Sequence, residues 1–407
     1  MSEPTSNARG WVVTFAALAI NLLAGILYAW SVLGKAMVTQ LKWNKTDAAL
    51  PFAMATATFA ITMIFAGRVQ DKIGPRRVAI VGGVMLGLGF FLSSFGHTVE
   101  VIMATMGLVG VGVGLAYSAT TPAAIKWFPP ARKGFITGIV VSGVGLAAVY
   151  AAPLADHLIK ATSIPQTFQI IGYICLSICL LAFLVSNPPA ARAAAAPAPG
   201  APAKAPTGRN LDWHEMLKTP QFYILWLMFV LSASAGLMVL SNVAMIAKLQ
   251  AKWEAGFLAV MTLACFNTAG RFVSGFVSDR IGRTRTMILF FLAQAANMFA
   301  FSYYTDSTLL LIGSALTGLC YGTIFTLMPT TTADFYGVKN LGVNYGLVFT
   351  AFGVAGVLGS LLGGRVSDLL GSFNVAYIVS GVMLVIGAVL AAVIRAPRIH
   401  SETPSAN

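Results

Sequence analysis

"GRVQDKIGPRR" at residues 67–77 and "GFVSDRIGRTR" at residues 275–285 are two copies of one motif, 208 positions apart. Gly67 answers Gly275, Asp71 answers Asp279, and basic residues crowd both, Arg76 in the first copy and Arg283 in the second. Two further pairs occur in the same order. "GVGLAYSATTPAAIKWF" (112–128) is repeated in outline by "LTGLCYGTIFTLMPTTTADFY" (316–336), which sets Tyr117 opposite Tyr321. "RKGFITGIVVSGVG" (132–145) is answered by "NLGVNYGLVFTAFG" (340–353). Three ordered matches at a nearly constant offset imply a duplicated unit.

The unit is membrane-spanning. The 407 residues are 57% hydrophobic and 10% charged, whereas soluble domains carry about 25% charged residues. Twelve apolar segments, near 11–34, 48–66, 78–96, 101–125, 135–155, 166–186, 221–246, 256–276, 286–304, 307–330, 341–363 and 373–394, each approach the ~20 residues that cross the hydrocarbon. The first is too long for a signal-peptide core and has no small-residue cleavage site behind it. A Pro/Ala-rich stretch, "PPAARAAAAPAPGAPAKAPTG" (188–208), interrupts the pattern after the sixth segment and has the composition of an extended connector. The expected organisation is a six-helix half at 1–187, a linker with a short surface helix at 188–215, a second six-helix half at 216–396 and a tail at 397–407.

The net charge of +13 is a matter of topology. With the N-terminus inside, 18 of the 26 Lys/Arg fall in inner loops and tails and 7 in outer loops, with Arg271 as the remainder. That bias predicts cytoplasmic N- and C-termini and gives no reason to expect a nucleic-acid partner. The four cysteines (Cys175, Cys179, Cys265, Cys320) all lie in apolar runs and read as small core residues, without a disulfide framework or a metal site. No His, Cys or Asp cluster of the kind an intramembrane enzyme needs is present in the sequence, and no nucleotide-binding loop, so the chain is not expected to be an enzyme.

Arg271 is the anomaly. It lies in the eighth span, eight residues before Asp279, or about 12 Å along a helix. A cation at that depth costs at least about 2.5–3.5 kcal/mol and cannot shed its proton. All thirteen Asp/Glu lie in tails, loops or at helix ends, so the missing counter-charge is expected to be an anionic ligand. A guanidinium fork suits a carboxylate. Asn267 precedes it by one helical turn on the same face. Tyr117 and Tyr321 hold matching places in spans four and ten, where their hydroxyls can donate to a ligand or bond between helices. Tyr28, Leu146, Phe349 and Phe352 are candidates for an apolar wall, with core packing as the alternative for each.

The doubled loop motif resembles the signature of the major facilitator superfamily, whose two halves are parallel repeats. That resemblance implies an all-α membrane protein of twelve transmembrane helices in two pseudo-symmetric halves. The motif glycines, Gly67 and Gly275, are then expected at close helix contacts, and Asp71, Arg76, Asp279 and Arg283 at gating ion pairs on the inner face. "NTAGRFVSGFVSDRIGR", "KWFPPARKGFITG", "HEMLKTPQFYILW" and "NYGLVFTAFG" together resemble the monocarboxylate transporters and their oxalate–formate exchanger relatives. In that group the span-eight arginine binds substrate carboxylate, and Arg271 matches its position. Two departures stand out. Mammalian members usually place an aspartate where this chain has Asn267, and the oxalate exchanger has a second cation, a lysine, where this chain has Phe352.

The resemblance implies a monomeric, multi-pass transporter of the plasma (inner) membrane of a bacterium. It would be embedded in the lipid bilayer and carry a small monocarboxylate with a proton as coupling ion and no cofactor. Carboxylate exchange is the alternative. Efflux of hydrophobic cations, a third use of the fold, would call for an acid in place of Arg271.

Overall fold

The structure, a computed structural model, describes residues 4–128, 133–187, 210–337 and 340–397. Residues 188–209 of the expected linker, all but the first residue of the expected tail and the side chain of Asp71 lie outside the described residues. Among the described residues the secondary structure is entirely helical, with twelve helices long and apolar enough to cross a membrane. They are α1 (Ala8–Gln40), α2 (Lys45–Gly67), α3 (Pro75–Ser93), α4 (Val99–Ile125), α5 (Ile136–Ala161), α6 (Ile164–Ala182), α7 (Pro220–Gln250), α8 (Phe257–Ile281), α9 (Arg283–Tyr303), α10 (Ser307–Tyr336), α11 (Val343–Leu370) and α12 (Asn374–Val393). Several extend beyond the apolar runs because polar residues at the ends continue the helical hydrogen bonding into the interfacial layer.

The duplication seen in the sequence is a duplication of packing. Within the first half α2 packs on α4, α1 on α5 and α3 on α6. The second half repeats this with α8 on α10, α7 on α11 and α9 on α12. Across the halves α2 packs on α11 and α8 on α5, again a matched pair. Helix association in lipid depends on close backbone approach at small residues. The α8–α10 contact shows this directly, since a Cβ on Gly270 would lie 2.0 Å from the Leu319 carbonyl oxygen and one on Gly318 2.1 Å from that of Leu263. Gly67 and Gly275 do not act this way. A side chain on Gly67 would meet nothing within 4 Å, and one on Gly275 only Thr326 at 3.6 Å. The motif glycines have no tight neighbour, and glycines deeper in the bundle make the close contacts. Cys265 is likewise exposed on the outside of the bundle, unlike the buried Cys175 and Cys320.

The short helix expected before α7 is present at Trp213–Leu217, closed by a capping box between Asp212 and Glu215. It docks onto the bundle, because the Leu211 carbonyl accepts from Asn340 and Asn344 and the Leu211 amide donates to the Tyr336 carbonyl.

The two ends of the bundle are held differently. At the end bearing the termini, Arg283 donates to Asp279 (2.7 Å) and Asp334 (3.2 Å), which ties α8, α9 and α10 within one half. The Arg76 guanidinium lies over the Phe183 ring at 5.9 Å. At the far end the ties cross between halves. Asp368, at the end of α11, accepts from the Lys45 and Thr46 amides at 2.8 and 2.6 Å and from the Thr46 hydroxyl at 2.6 Å. It therefore caps the first turn of α2 from the opposite half. Glu254, in the α7–α8 loop, pairs with Lys35 of α1 at 2.7 Å and with Lys248 at 3.3 Å. The bond from Lys35 holds the Glu254 carboxyl below its ordinary range.

An N-terminal cap is worth about 1 kcal/mol, or roughly fivefold in an opening equilibrium. Ser31, Gly34, Lys35, Ala48 and Asn242 line a small cavity behind these ties. In a background lacking native cysteines, a Ser31→Cys probe should react with an aqueous maleimide about fivefold faster once Asp368→Ala removes the cap. Unchanged labelling would show that the cap does not hold this end shut.

Candidate functional site

Arg271 lies mid-way along α8, fixed there by the α8–α10 backbone contact that Gly270 permits. Its carbonyl accepts from Thr326 of α10 at 3.0 Å. The residue is 9% exposed. No Asp or Glu of the described residues lies within ion-pair distance of it. Among the described residues, three groups meet the guanidinium. Nη1 donates to the Val141 carbonyl of α5 at 3.0 Å, Nε to Asn267 Oδ1 at 3.4 Å, and the Phe325 ring of α10 lies 4.6 Å from Cζ.

Asn267 is completely buried. It is pressed against α10, where a Cβ on Gly322 would come 2.9 Å from its Oδ1. That side chain turns its oxygen to Arg271, and its Nδ2 has no hydrogen-bond partner. The Tyr321 hydroxyl is also buried without a partner. Tyr28 approaches Tyr321 without hydrogen-bond geometry. Tyr28, Tyr117, Tyr321 and Tyr345 all lie within the electrostatic field of Arg271.

An aromatic cluster closes the site. Phe349 and Phe352, both of α11, stack at 5.2 Å. Phe59 of α2 packs edge-on against Tyr117, Phe349 and Phe352 at 5.9, 5.4 and 5.8 Å. Phe325 adds an edge to Phe352 at 5.7 Å, and Phe229 of α7 packs against Phe349 at 6.0 Å.

The structure thus gathers Arg271, Asn267, Tyr28, Tyr117, Tyr321, Phe349 and Phe352 at one depth. Leu146 is half-buried next to Gly145, where a Cβ would lie 3.7 Å from Arg271 Cζ. Sequence reasoning passed over Phe59, Phe229, Phe325 and Tyr345. Two of these had a local signal: Phe325 follows Tyr321 by four residues and Tyr345 precedes Phe349 by four, the spacing that shares a helix face. Phe59 and Phe229 had none, since each is one aromatic among many in an apolar run.

Chemically, the site offers a permanent cation, two unpartnered groups able to donate (Asn267 Nδ2 and Tyr321 Oη) and an aromatic wall. Buried polar groups are ordinarily paired, so such a set suits a small anion with an apolar part.

The sequence pattern of the Major Facilitator Superfamily matches residues 10–296 and 248–407. The oxalate:formate antiporter of Oxalobacter formigenes is 27% identical over 94% of this chain and 90% of its own length. An uncharacterized MFS-type transporter of Escherichia coli (strain K12), YhjX, is 27% identical over 88% of each chain. Monocarboxylate transporter 13 of Rattus norvegicus is 22% identical over 95% of this chain and 89% of its own length.

Proposed function

The chain belongs to the Major Facilitator Superfamily, and from that premise we propose that it is a secondary active transporter of small monocarboxylates such as L-lactate or pyruvate, working by proton symport and alternating access. The observation that carries this reading is Arg271, buried with no carboxylate of the described residues to pair it, beside two donor groups unpartnered among those residues. A ligand carboxylate would supply the counter-charge and accept from Asn267 Nδ2 and Tyr321 Oη, while its short carbon chain met Phe349 and Phe352. The single cation favours a monoanion over a dicarboxylate. The termini are taken as cytoplasmic, in a bacterial plasma membrane, with the monomer as the working unit. The two six-helix halves at 1–187 and 216–396 would rock about the site.

Proton coupling follows from charge. Net movement of an anion costs about 2.3 kcal/mol per elementary charge per 100 mV, and a proton carried with the substrate removes that cost. Arg271 stays charged, so the proton's place would be the substrate carboxylate itself or a water held by Tyr117, Tyr321 or Asn267. In liposomes free of internal anion, an inward proton gradient should drive lactate accumulation and a membrane potential alone should not.

The second reading is carboxylate exchange, favoured by the likeness to the oxalate:formate antiporter. Accumulation only in vesicles preloaded with carboxylate, with no effect of the pH gradient, would select it.

Tyr321→Phe separates ligand contact from structure. Because no group among the described residues accepts from this hydroxyl, its loss should leave the melting temperature unchanged or raised. Lactate binding should weaken about ten- to a hundredfold, as expected for a hydrogen bond to a charged group worth about 1.5–3 kcal/mol. Equal affinity in the phenylalanine variant would remove Tyr321 from the site.

A further inference from the structure

Two of the groups that meet Arg271 come from its own half, and the third, the Val141 carbonyl, comes from the opposite one. The position of α5 is built for that contact. Gly143 faces α1, where a Cβ would lie 2.6 Å from the Leu18 carbonyl oxygen. Gly145 faces α8, where a Cβ would lie 2.6 Å from Thr268 Oγ1 and 3.7 Å from Arg271 Cζ. The adjacent carbonyl, Val140, accepts from Asn21 Nδ2 of α1 at 2.8 Å, and Asn21 Oδ1 accepts from Thr120 of α4 at 3.0 Å. Two successive carbonyls of α5 are thereby committed, one to its own half and one to Arg271. A helical carbonyl has a second lone pair for such a bond. The Phe325 ring adds the negative face of an aromatic quadrupole on the other element that meets the guanidinium.

We propose that the Val141 carbonyl and the Phe325 ring together stand in for the substrate carboxylate, so that the halves can close on Arg271 and the carrier can reorient without cargo. The inference rests on the monocarboxylate reading of this site and deepens it by assigning Phe325 and Gly145 as positioning residues for the return step. An unpartnered buried cation would block that step and leave exchange as the only mode. A bidentate carboxylate, as a charged acceptor, is the stronger partner and displaces the neutral one. The stand-in therefore permits return without blocking substrate.

The test uses liposomes loaded with labelled L-lactate, with proton and potassium gradients collapsed by ionophores. Wild-type protein should release label both into carboxylate-free medium and in exchange for external lactate. Phe325→Leu removes the ring face and Gly145→Ala pushes α5 away from α8. Phe325→Leu should lower the ratio of net release to exchange about thirtyfold, in keeping with a desolvated cation–ring contact of about 2 kcal/mol, and Gly145→Ala should lower the same ratio. Phe325→Tyr keeps the ring and should restore net release. A parallel fall of both rates, or wild-type exchange with no net release, overturns the inference and leaves carboxylate binding standing.

Absence of both exchange and binding would instead overturn the monocarboxylate reading, and a second measurement then decides the inference alone. A Cβ on Gly138 would lie 3.3 Å from the Phe272 ring. In a background lacking native cysteines, the pair Gly138→Cys and Phe272→Cys should be bridged by a short bifunctional thiol reagent in carboxylate-free buffer. The bridge should be lost when Phe325→Leu or Gly145→Ala is added. Undiminished bridging in both would show that closure does not depend on this stand-in.

Discussion

Arg271→Ala is expected to weaken carboxylate binding by at least ~30-fold, since removing one partner of a buried charged hydrogen-bond pair costs about 2–5 kcal/mol. The bundle should remain folded. The Val141 carbonyl lies inside a continuous helix and keeps its helical hydrogen bond, and the Phe325 ring retains its contacts with Tyr321 and Phe352 at 5.3 and 5.7 Å. Asn267 Oδ1 also loses a donor, through a bond that is long at 3.4 Å. The variant also no longer buries a cation, so its melting temperature should not fall. Arg271→Lys keeps the charge and loses the planar fork, and it should be severely impaired as well. Titration of purified protein with L-lactate, beside thermal unfolding, checks both. Wild-type affinity in the alanine variant would reject Arg271 as the carboxylate clamp.

Phe352→Lys should change the class of substrate. Phe352 is fully buried and packs against Phe59, Phe325 and Phe349. A lysine there gives up that packing and sets a second cation in the same aromatic enclosure as Arg271. Truncating a buried phenylalanine costs about 3–5 kcal/mol, part of which a lysine stem recovers. Lactate transport should drop by on the order of tenfold or more, and oxalate, which can neutralise two cations, should become the better competitor. The resemblance to the oxalate exchangers implies their lysine at this position, so the substitution tests whether charge count sets the choice between mono- and dicarboxylate. Wild-type protein that prefers oxalate to lactate would contradict this account.

These two results bear on one property of the site, the balance between a fixed cation and what surrounds it. The far-end ties through Asp368 and Glu254 concern a different property, namely which side of the bundle opens. Lowering pH weakens the Lys35–Glu254 tie, because a carboxyl held below its ordinary value contributes above that value and is lost as pH falls through the lowered one. Glu254 is largely exposed, so this effect is modest.

Hydropathy, the doubled motif and the placement of every acidic residue were enough, from the sequence by itself, to determine twelve spans, a duplicated architecture and a membrane-buried arginine without an acidic partner. Each is a property of residue types along the chain: the hydrocarbon selects apolar runs of fixed length, and a buried cation is anomalous wherever it falls. Asn267 and Tyr321 were legible for the same reason, one from helical spacing and one from the repeat. Only the tertiary structure decided what meets the guanidinium. Val141 contributes a backbone carbonyl, which every residue type has and no sequence pattern marks. Phe59 and Phe229 reach the site because α2 and α7 converge there, and apolar runs do not encode which of their rings face inward. Asp368 reads as an ordinary helix-end acid until α11 brings it to the first turn of α2, over 320 residues away in the chain. The motif glycines were misjudged for a related reason: a glycine permits close approach, but the path of the neighbouring helix decides whether that approach occurs.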